Sequence, residues 1–396
     1  MKLGIFLLTL GVVAIGTDLF VIAGILPYIA NSFAVTLQAV GYLVTVFAII
    51  YAIFGPILAM RMALWHKPKL LIASLGVFIA GEVISAFAIN FYMLIVARVI
   101  SAVGASLFTP VAFALAVTLA PEEKKGKALA IVSGGLILSM AIAVPIGTWI
   151  SILLGWRVTY LFIAVIGIIA DAGLALFLDG SSENNVPQVV RLPYYSLFRP
   201  SFVVAVLAYA FWGMAIFTIF PFLSPILSGI AQVQPVDVGY ALMLFGTGSF
   251  IGVIFGGHAT DRWGHMKTAE ISILVAVISL IISYLLLSES SLYFILSYFV
   301  FSTAIQGFMP SQLRRIVYFS SENSHQTALS INNSFLYIGI ALGAVLGGNL
   351  FSYLPLSVLP LASSVGIIIA LGLTLVSMKL ERARSISLKR AAGNGE

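Results

Sequence analysis

The stretch "DGSSENNVPQVVRLPYYSLFRP", residues 179–200, is the longest polar segment inside an otherwise apolar chain. Working outward from it, apolar runs of roughly 20 residues, the length that crosses a bilayer, follow one another in both directions. Six precede it, at about 4–30, 36–60, 70–89, 92–118, 128–152 and 158–178. Six follow it, at about 201–229, 237–257, 269–288, 291–312, 327–351 and 355–378. The links 31–35, 90–91, 153–157 and 289–290 are too short for anything but antiparallel hairpins. The sequence therefore predicts an all-α membrane protein, with twelve transmembrane helices in two six-helix pseudo-symmetric bundles. The expected parts are an N-terminal bundle at 1–180, a cytoplasmic linker at 181–200, a C-terminal bundle at 201–380 and a cytoplasmic tail at 381–396.

Composition requires lipid as solvent. The chain is 61% hydrophobic and 9% charged, where a soluble domain carries about 25% charged residues. A water-facing globule cannot hide that much apolar surface. The net charge of +6 would suggest nucleic acid in a soluble protein, but the placement of the charges explains it better. If the N-terminus, 61–69, 120–127, 179–200, 258–268, 313–326 and 379–396 share one side, that side holds every Lys and Arg except Arg98 and Arg157. By the positive-inside rule it is the cytoplasm. The expectation is a multi-pass inner-membrane protein with both termini cytoplasmic and no nucleic-acid partner. The tail "KLERARSISLKR" reads as a stop-anchor, with contact to anionic lipid as the second reading.

No catalytic constellation is visible. The chain has no cysteine, which removes disulfides and thiol chemistry. His66, His258, His265 and His325 all fall in expected cytoplasmic loops without metal-ligand spacing. Neither a metal nor a cofactor is expected, and the chain does not read as an enzyme. A phosphate-binding Gly-x-x-x-x-Gly-Lys-Ser/Thr run is absent, so energy must come from a gradient rather than ATP. A faint repeat points the same way. "VGY" at 40–42 returns at 238–240, and "FTP" at 108–110 returns as "FMP" at 308–310. Two six-helix halves with a midplane site between them is a transporter architecture.

Charged residues inside the helices are the strongest site candidates. Asp18, Glu82, Arg98 and Asp171 would each cost about 2.5–3.5 kcal/mol at a helix centre if left uncompensated. Glu82 and Arg98 lie eight residues on either side of Asn90, so both sit roughly 12 Å below the outer surface. Asp18 lies slightly deeper. Two arrangements compete. In one, Arg98 pairs with Asp18, and Asp18 loads and releases a proton. Because arginine stays protonated, the carboxylate must titrate. In the other, Arg98 pairs with Glu82, and Asp18 is a packing residue. The first is preferred. Asp171 reads as a helix–helix contact.

Three stretches resemble the major facilitator superfamily. "GGHATDRWGHMK" (256–267) looks like its Gly-x-x-x-Asp-Arg-x-Gly loop signature. "LIVARVISAVGA" (94–105) is similar to its helix-4 motif with a buried arginine. "AVPIGTWISILLGWRVTY" (143–160) resembles its helix-5 antiporter motif. "TDLFVIAGILPYIA" (17–30) and "SINNSFLYIGIALGAVLGG" (330–348) look like the drug:proton antiporter branch that includes sugar and purine efflux proteins. The resemblance implies gating roles for Gly257, Asp261, Arg262, Pro145 and Gly147. Asp261, read as lying just past a helix end, would latch onto the start of helix 5 around Pro121–Lys124. Pro145 and Gly147 would interrupt helix 5 and form an outer seal, unless they are only a packing kink. The matching stretch after helix 2, "GPILAMRMALWHKPK" (55–69), has no aspartate, so its latch should be weaker.

The expected function is a secondary transporter that exports a small organic solute, such as a drug, a sugar or a nucleoside or purine, in exchange for protons. A proton-coupled importer, a uniporter and a non-transporting membrane sensor are the alternatives. Expected partners are the small-molecule substrate, protons and the lipid bilayer, with the chain a monomer. Asp18, Arg98 and Glu82 are the proton-coupling candidates. Asp18, Thr109, Trp212, Thr218, Gln306, Asn332 and Asn333 are the substrate-binding candidates. Together these describe a mostly apolar pocket with few hydrogen-bonding groups.

Overall fold

The structure, a computed structural model, describes residues 2–61, 66–178, 199–287, 290–320 and 325–393. Its helices are α1 Lys2–Phe33, α2 Leu37–Arg61, α3 Lys67–Ala86 and α4 Phe91–Leu119. They continue as α5 Lys125–Leu154, α6 Trp156–Leu178, α7 Pro200–Gly229 and α8 Pro235–Trp263. The last four are α9 His265–Leu286, α10 Ser291–Phe319, α11 His325–Tyr353 and α12 Leu359–Gly393. Among the described residues, twelve helices are long and apolar enough to cross a membrane, and none of the elements is a strand. Most of the expected linker, 181–198, lies outside the described residues.

Several helices run past their apolar spans. α8 continues through Asp261 and Arg262 to Trp263, and stops at Gly264, whose φ of +83° suits a residue without a Cβ. Asp261 therefore sits on the last helical turn, not beyond the helix end. α10 reaches Phe319 and takes in Arg314 and Arg315, which the sequence reading left in a loop. α12 runs on to Gly393 through most of the expected tail. Three histidines also move from loop to helix: His258 lies in α8, His265 opens α9 and His325 opens α11. The cause is common to all. Backbone hydrogen bonds carry a helix into the interfacial region, where apolar side chains are no longer required.

Pro145 does not break α5. The helix passes through a π segment, Ser139–Ala143, directly before it. Proline removes one N–H and crowds the carbonyl four residues back, and the wider π turn takes up that strain. The π segment meets α8 at Gly246, where a Cβ would overlap the backbone of Met140 and Ala141. Within the first half, α3 and α4 cross closely at small residues. A Cβ on Gly81 would lie 2.8 Å from Ser101 Cα, and one on Gly104 would lie 2.8 Å from Phe78 Cα. Small residues of this kind let membrane helices approach backbone to backbone.

With an even number of antiparallel spans, both ends of the described chain lie at one end of the bundle, here called proximal. The halves are tied together at the opposite, distal end. Gln38 Nε2, at the start of α2, donates to Asn349 Oδ1 near the end of α11 at 2.6 Å. Ser352 Oγ donates to Gln38 Oε1 at 2.6 Å, and Tyr42 reaches Asn349 Oδ1 at 3.4 Å. Trp149 Nε1 of α5 donates to Val236 O of α8 at 3.0 Å, and its ring meets Tyr240 edge-on. Deeper in, Thr45 Oγ1 reaches Ala341 O at 3.5 Å. Below that level the halves meet through the side chains of Tyr51 and Tyr337.

Candidate functional site

The first half buries a cluster of charge. Asp18 on α1 and Arg98 on α4 are both fully buried, and Arg98 Nη1 donates to Asp18 Oδ1. The guanidinium also lies 4.9 Å from the ring centroid of Phe47 on α2, a favourable face for a desolvated cation. Glu82 on α3 is fully buried beside the pair and interacts electrostatically with both members. The α3–α4 crossing at Gly81 puts it there. Neither Glu82 carboxylate oxygen has a hydrogen-bond partner, and Asp18 Oδ2, Arg98 Nε and Arg98 Nη2 also lack one. The structure thus brings together all three residues that depth alone had selected. Two acids share one base in a volume closed to water. Asp171 on α6 is half-buried, and its Oδ1 has no partner.

Between the halves the site is aromatic. Tyr51 of α2 stacks on Tyr337 of α11, with ring centroids 3.7 Å apart and planes inclined by 15°. Tyr209 stacks on Trp212 within α7 at 5.0 Å, and Trp212 lies 6.2 Å from Phe308 of α10. Tyr51, Tyr209 and Tyr337 were missed because nothing in the local sequence marks a tyrosine as part of such a stack.

The expected substrate-binding residues divide by environment. Trp212 is buried, and its Nε1 donates to Ile305 O at 2.9 Å. Thr109 and Thr218 are buried and donate to the carbonyls one turn back, Ala105 O and Met214 O. Gln306 is half-buried and Asn333 exposed. Asn332 is buried in the second half, where its Oδ1 accepts from Gln312 Nε2 at 2.9 Å. Gln312 Nε2 also donates to Ala205 O at 3.0 Å, and Arg315 Nη2 donates to Gln312 Oε1. Gln312 and Arg315 escaped the sequence reading because α10 was expected to end at 312.

The gating candidates also separate. Asp261 pairs with Arg314 Nη1 at 2.6 Å, within its own half, and not with residues 121–124. At the proximal end the halves share no hydrogen bond among the described residues, so the carboxylate takes the basic side chain that α10 presents. Arg262 is exposed and Gly257 half-buried. Gly147 serves contacts within the first half: a Cβ there would lie 2.8 Å from Val21 Cγ2 and 3.1 Å from Thr159 Cγ2. Pro145 is buried next to the π segment that meets α8.

Residues 8–230 and 202–393 match the family model described as the Major Facilitator Superfamily. An uncharacterized MFS-type transporter, YbcL, of Bacillus subtilis strain 168 is 30% identical over 93% of both chains. A chloramphenicol resistance protein of Streptomyces lividans is 31% identical over 66% of this chain and 68% of its own. Among solved structures, a bacterial homologue of the human lysosomal transporter Spinster, inward-facing and occupied, superposes with a TM-score of 0.78. It covers 95% of this chain and 96% of its own at 18% identity.

Proposed function

Because the chain belongs to the Major Facilitator Superfamily, and so is a multi-pass membrane transporter and not an enzyme, we propose that it exports a small organic solute in exchange for protons. The observation that carries this reading is the buried group Asp18, Arg98 and Glu82, on three different helices. With both carboxylates ionised the group has one net negative charge, and with one proton bound it is neutral. A membrane interior disfavours the charged form. Proton uptake and release at this group therefore change the electrostatics of α1 and α4.

Alternating access follows from where the halves are joined. The proximal end is the cytoplasmic one, on the positive-inside distribution of Lys and Arg. The distal ties at Gln38, Asn349, Ser352 and Trp149 then form the outer gate, and the structure is the state closed to the outside. Rocking residues 1–180 against 201–396 about the aromatic centre opens that gate and brings the α8 end toward α5. Asp261, held by Arg314 in this state, latches the cytoplasmic side in the other. The chain acts as a monomer. Export is favoured over uptake by the Streptomyces relative named for chloramphenicol resistance, since a membrane transporter confers resistance by removing a compound.

Proteoliposomes loaded with a pH-sensitive dye test the reading. Chloramphenicol, sugars and nucleosides are offered in turn while internal pH is recorded. One or more should move against its gradient with a matching counterflow of protons. Asp18→Asn should abolish gradient-driven transport and leave solute exchange intact. Undiminished gradient-driven transport in the Asp18→Asn variant would refute the coupling role.

A further inference from the structure

Among the described residues, the second half holds a buried cation without a counter-charge. Arg315, on the last turns of α10, is 1% exposed. Its Nη2 donates to Gln312 Oε1, while Nε and Nη1 have no partner. Among the described residues no carboxylate pairs with it, in contrast to its neighbour Arg314, which takes Asp261. Buried guanidinium groups are normally paired, because an uncompensated buried charge costs several kcal/mol. Gln312 is fixed in turn by Ala205 O on α7 and Asn332 on α11, so three helices hold the guanidinium in one orientation.

Among the described residues, its surroundings are aromatic. The Arg315 guanidinium carbon lies 5.9 Å from the centroid of Phe308. Phe308 adjoins Trp212, which stacks on Tyr209. A cation with two unused donors thus stands at the proximal end of an aromatic row that leads to the Tyr51–Tyr337 stack. We propose that Arg315, held by Gln312 and Asn332, binds the anionic group of the transported solute, a carboxylate or phosphate, while its apolar body lies against Trp212, Tyr209 and Phe308. Guanidinium presents a planar fork that matches such groups in two-point contact. The solute class is then an amphipathic organic anion or zwitterion. This deepens the export reading and rests on it for the identity of the occupant as cargo.

Ligand-dependent thermal unfolding of the full chain in phosphatidylcholine nanodiscs, at constant ionic strength, tests the site without requiring transport. Benzoate is the anionic probe, and benzamide, of the same size and shape, the neutral one. Benzoate should raise the unfolding temperature and benzamide should not. In Arg315→Gln the affinity for benzoate should fall by at least about tenfold, as expected for loss of a charge-assisted contact. The unliganded variant should also unfold at a higher temperature than the parent, because a bare buried charge has gone. A purely structural arginine predicts a lower one. Arg314→Gln should respond to benzoate as the parent does. The readout needs no proton gradient, so failure of the proton-coupling reading leaves this result standing.

Equal responses to benzoate and benzamide in the parent chain would overturn the proposal, and this comparison serves alone if Arg315→Gln does not fold. An undiminished benzoate response in Arg315→Gln would also overturn it. So would stabilisation produced only by adding phosphatidylglycerol to the nanodisc, which assigns the guanidinium to a lipid headgroup.

Discussion

Arg98 and Asp18, 80 positions apart in sequence, meet as a hydrogen-bonded ion pair in which both side chains are fully buried. Breaking such a pair from one side leaves an uncompensated charge and costs about 3–5 kcal/mol, whereas removing both partners is far milder. Arg98→Gln should therefore lower the unfolding temperature in detergent markedly, and adding Asp18→Asn should recover much of the loss. A double variant no more stable than Arg98→Gln alone would mean that the two residues are not energetically coupled.

Glu82 differs from Asp18 in its bonding. Its carboxylate has no hydrogen-bond partner, so Glu82→Gln removes one of two acids without breaking the ion pair. If Asp18 is the residue through which protons are coupled, Glu82→Gln should keep gradient-driven transport within about threefold of the parent, under 1 kcal/mol in the barrier. Its Asp18→Asn counterpart should lose it. Initial rates in proteoliposomes under an imposed pH gradient make the comparison. Equal losses would show that the two carboxylates work as one group.

The spans were legible in the sequence because lipid imposes a composition on every residue it surrounds. The ends of α8, α10 and α12 were not, since a helix that emerges from the apolar layer keeps its hydrogen bonds but loses its apolar signature. Arg315 was hidden for that reason. Among the buried charges, depth selected Asp18, Glu82 and Arg98 but could not distribute the bonds, because Glu82 and Arg98 sit at one level on adjacent helices. The distribution depends on the approach of α3 to α4 at Gly81 and on the rotation of α1. Tyr51 and Tyr337 illustrate a harder limit. They stack across the two halves of the chain, and no local spacing encodes a contact over that separation.

The distal tie between Gln38 and Asn349 should set the balance between states. Its bonds are exposed and short, and hydrogen bonds of this kind contribute about 0.5–1.5 kcal/mol each. Gln38→Ala with Asn349→Ala should raise the population opened at that end by roughly three- to tenfold. The chain has no cysteine, so cysteines introduced near Thr36 and Leu354 can carry spin labels on an otherwise unreactive background. Pulsed electron resonance should then show a longer-distance component in the double variant. An unchanged distance distribution would remove Gln38 and Asn349 from the gate.

Asp261 and Arg314 offer the opposite case. Their side chains are 79% and 54% exposed, and a surface pair of this type contributes about 0–1 kcal/mol after screening. As a stabilising contact it is nearly dispensable, so neither Asp261→Ala nor Arg314→Ala should shift the unfolding temperature appreciably. Transport should separate them. If Asp261 leaves Arg314 to latch the proximal side near residues 121–124 in the other state, Asp261→Ala removes the latch and Arg314→Ala only releases it. Asp261→Ala should then slow transport severalfold, while Arg314→Ala stays near the parent or exceeds it. Solute flux measured for both variants at matched reconstitution levels decides the point. Equal slowing would make the pair itself, as it stands in this state, the functional unit, and a latch across the halves would have no support.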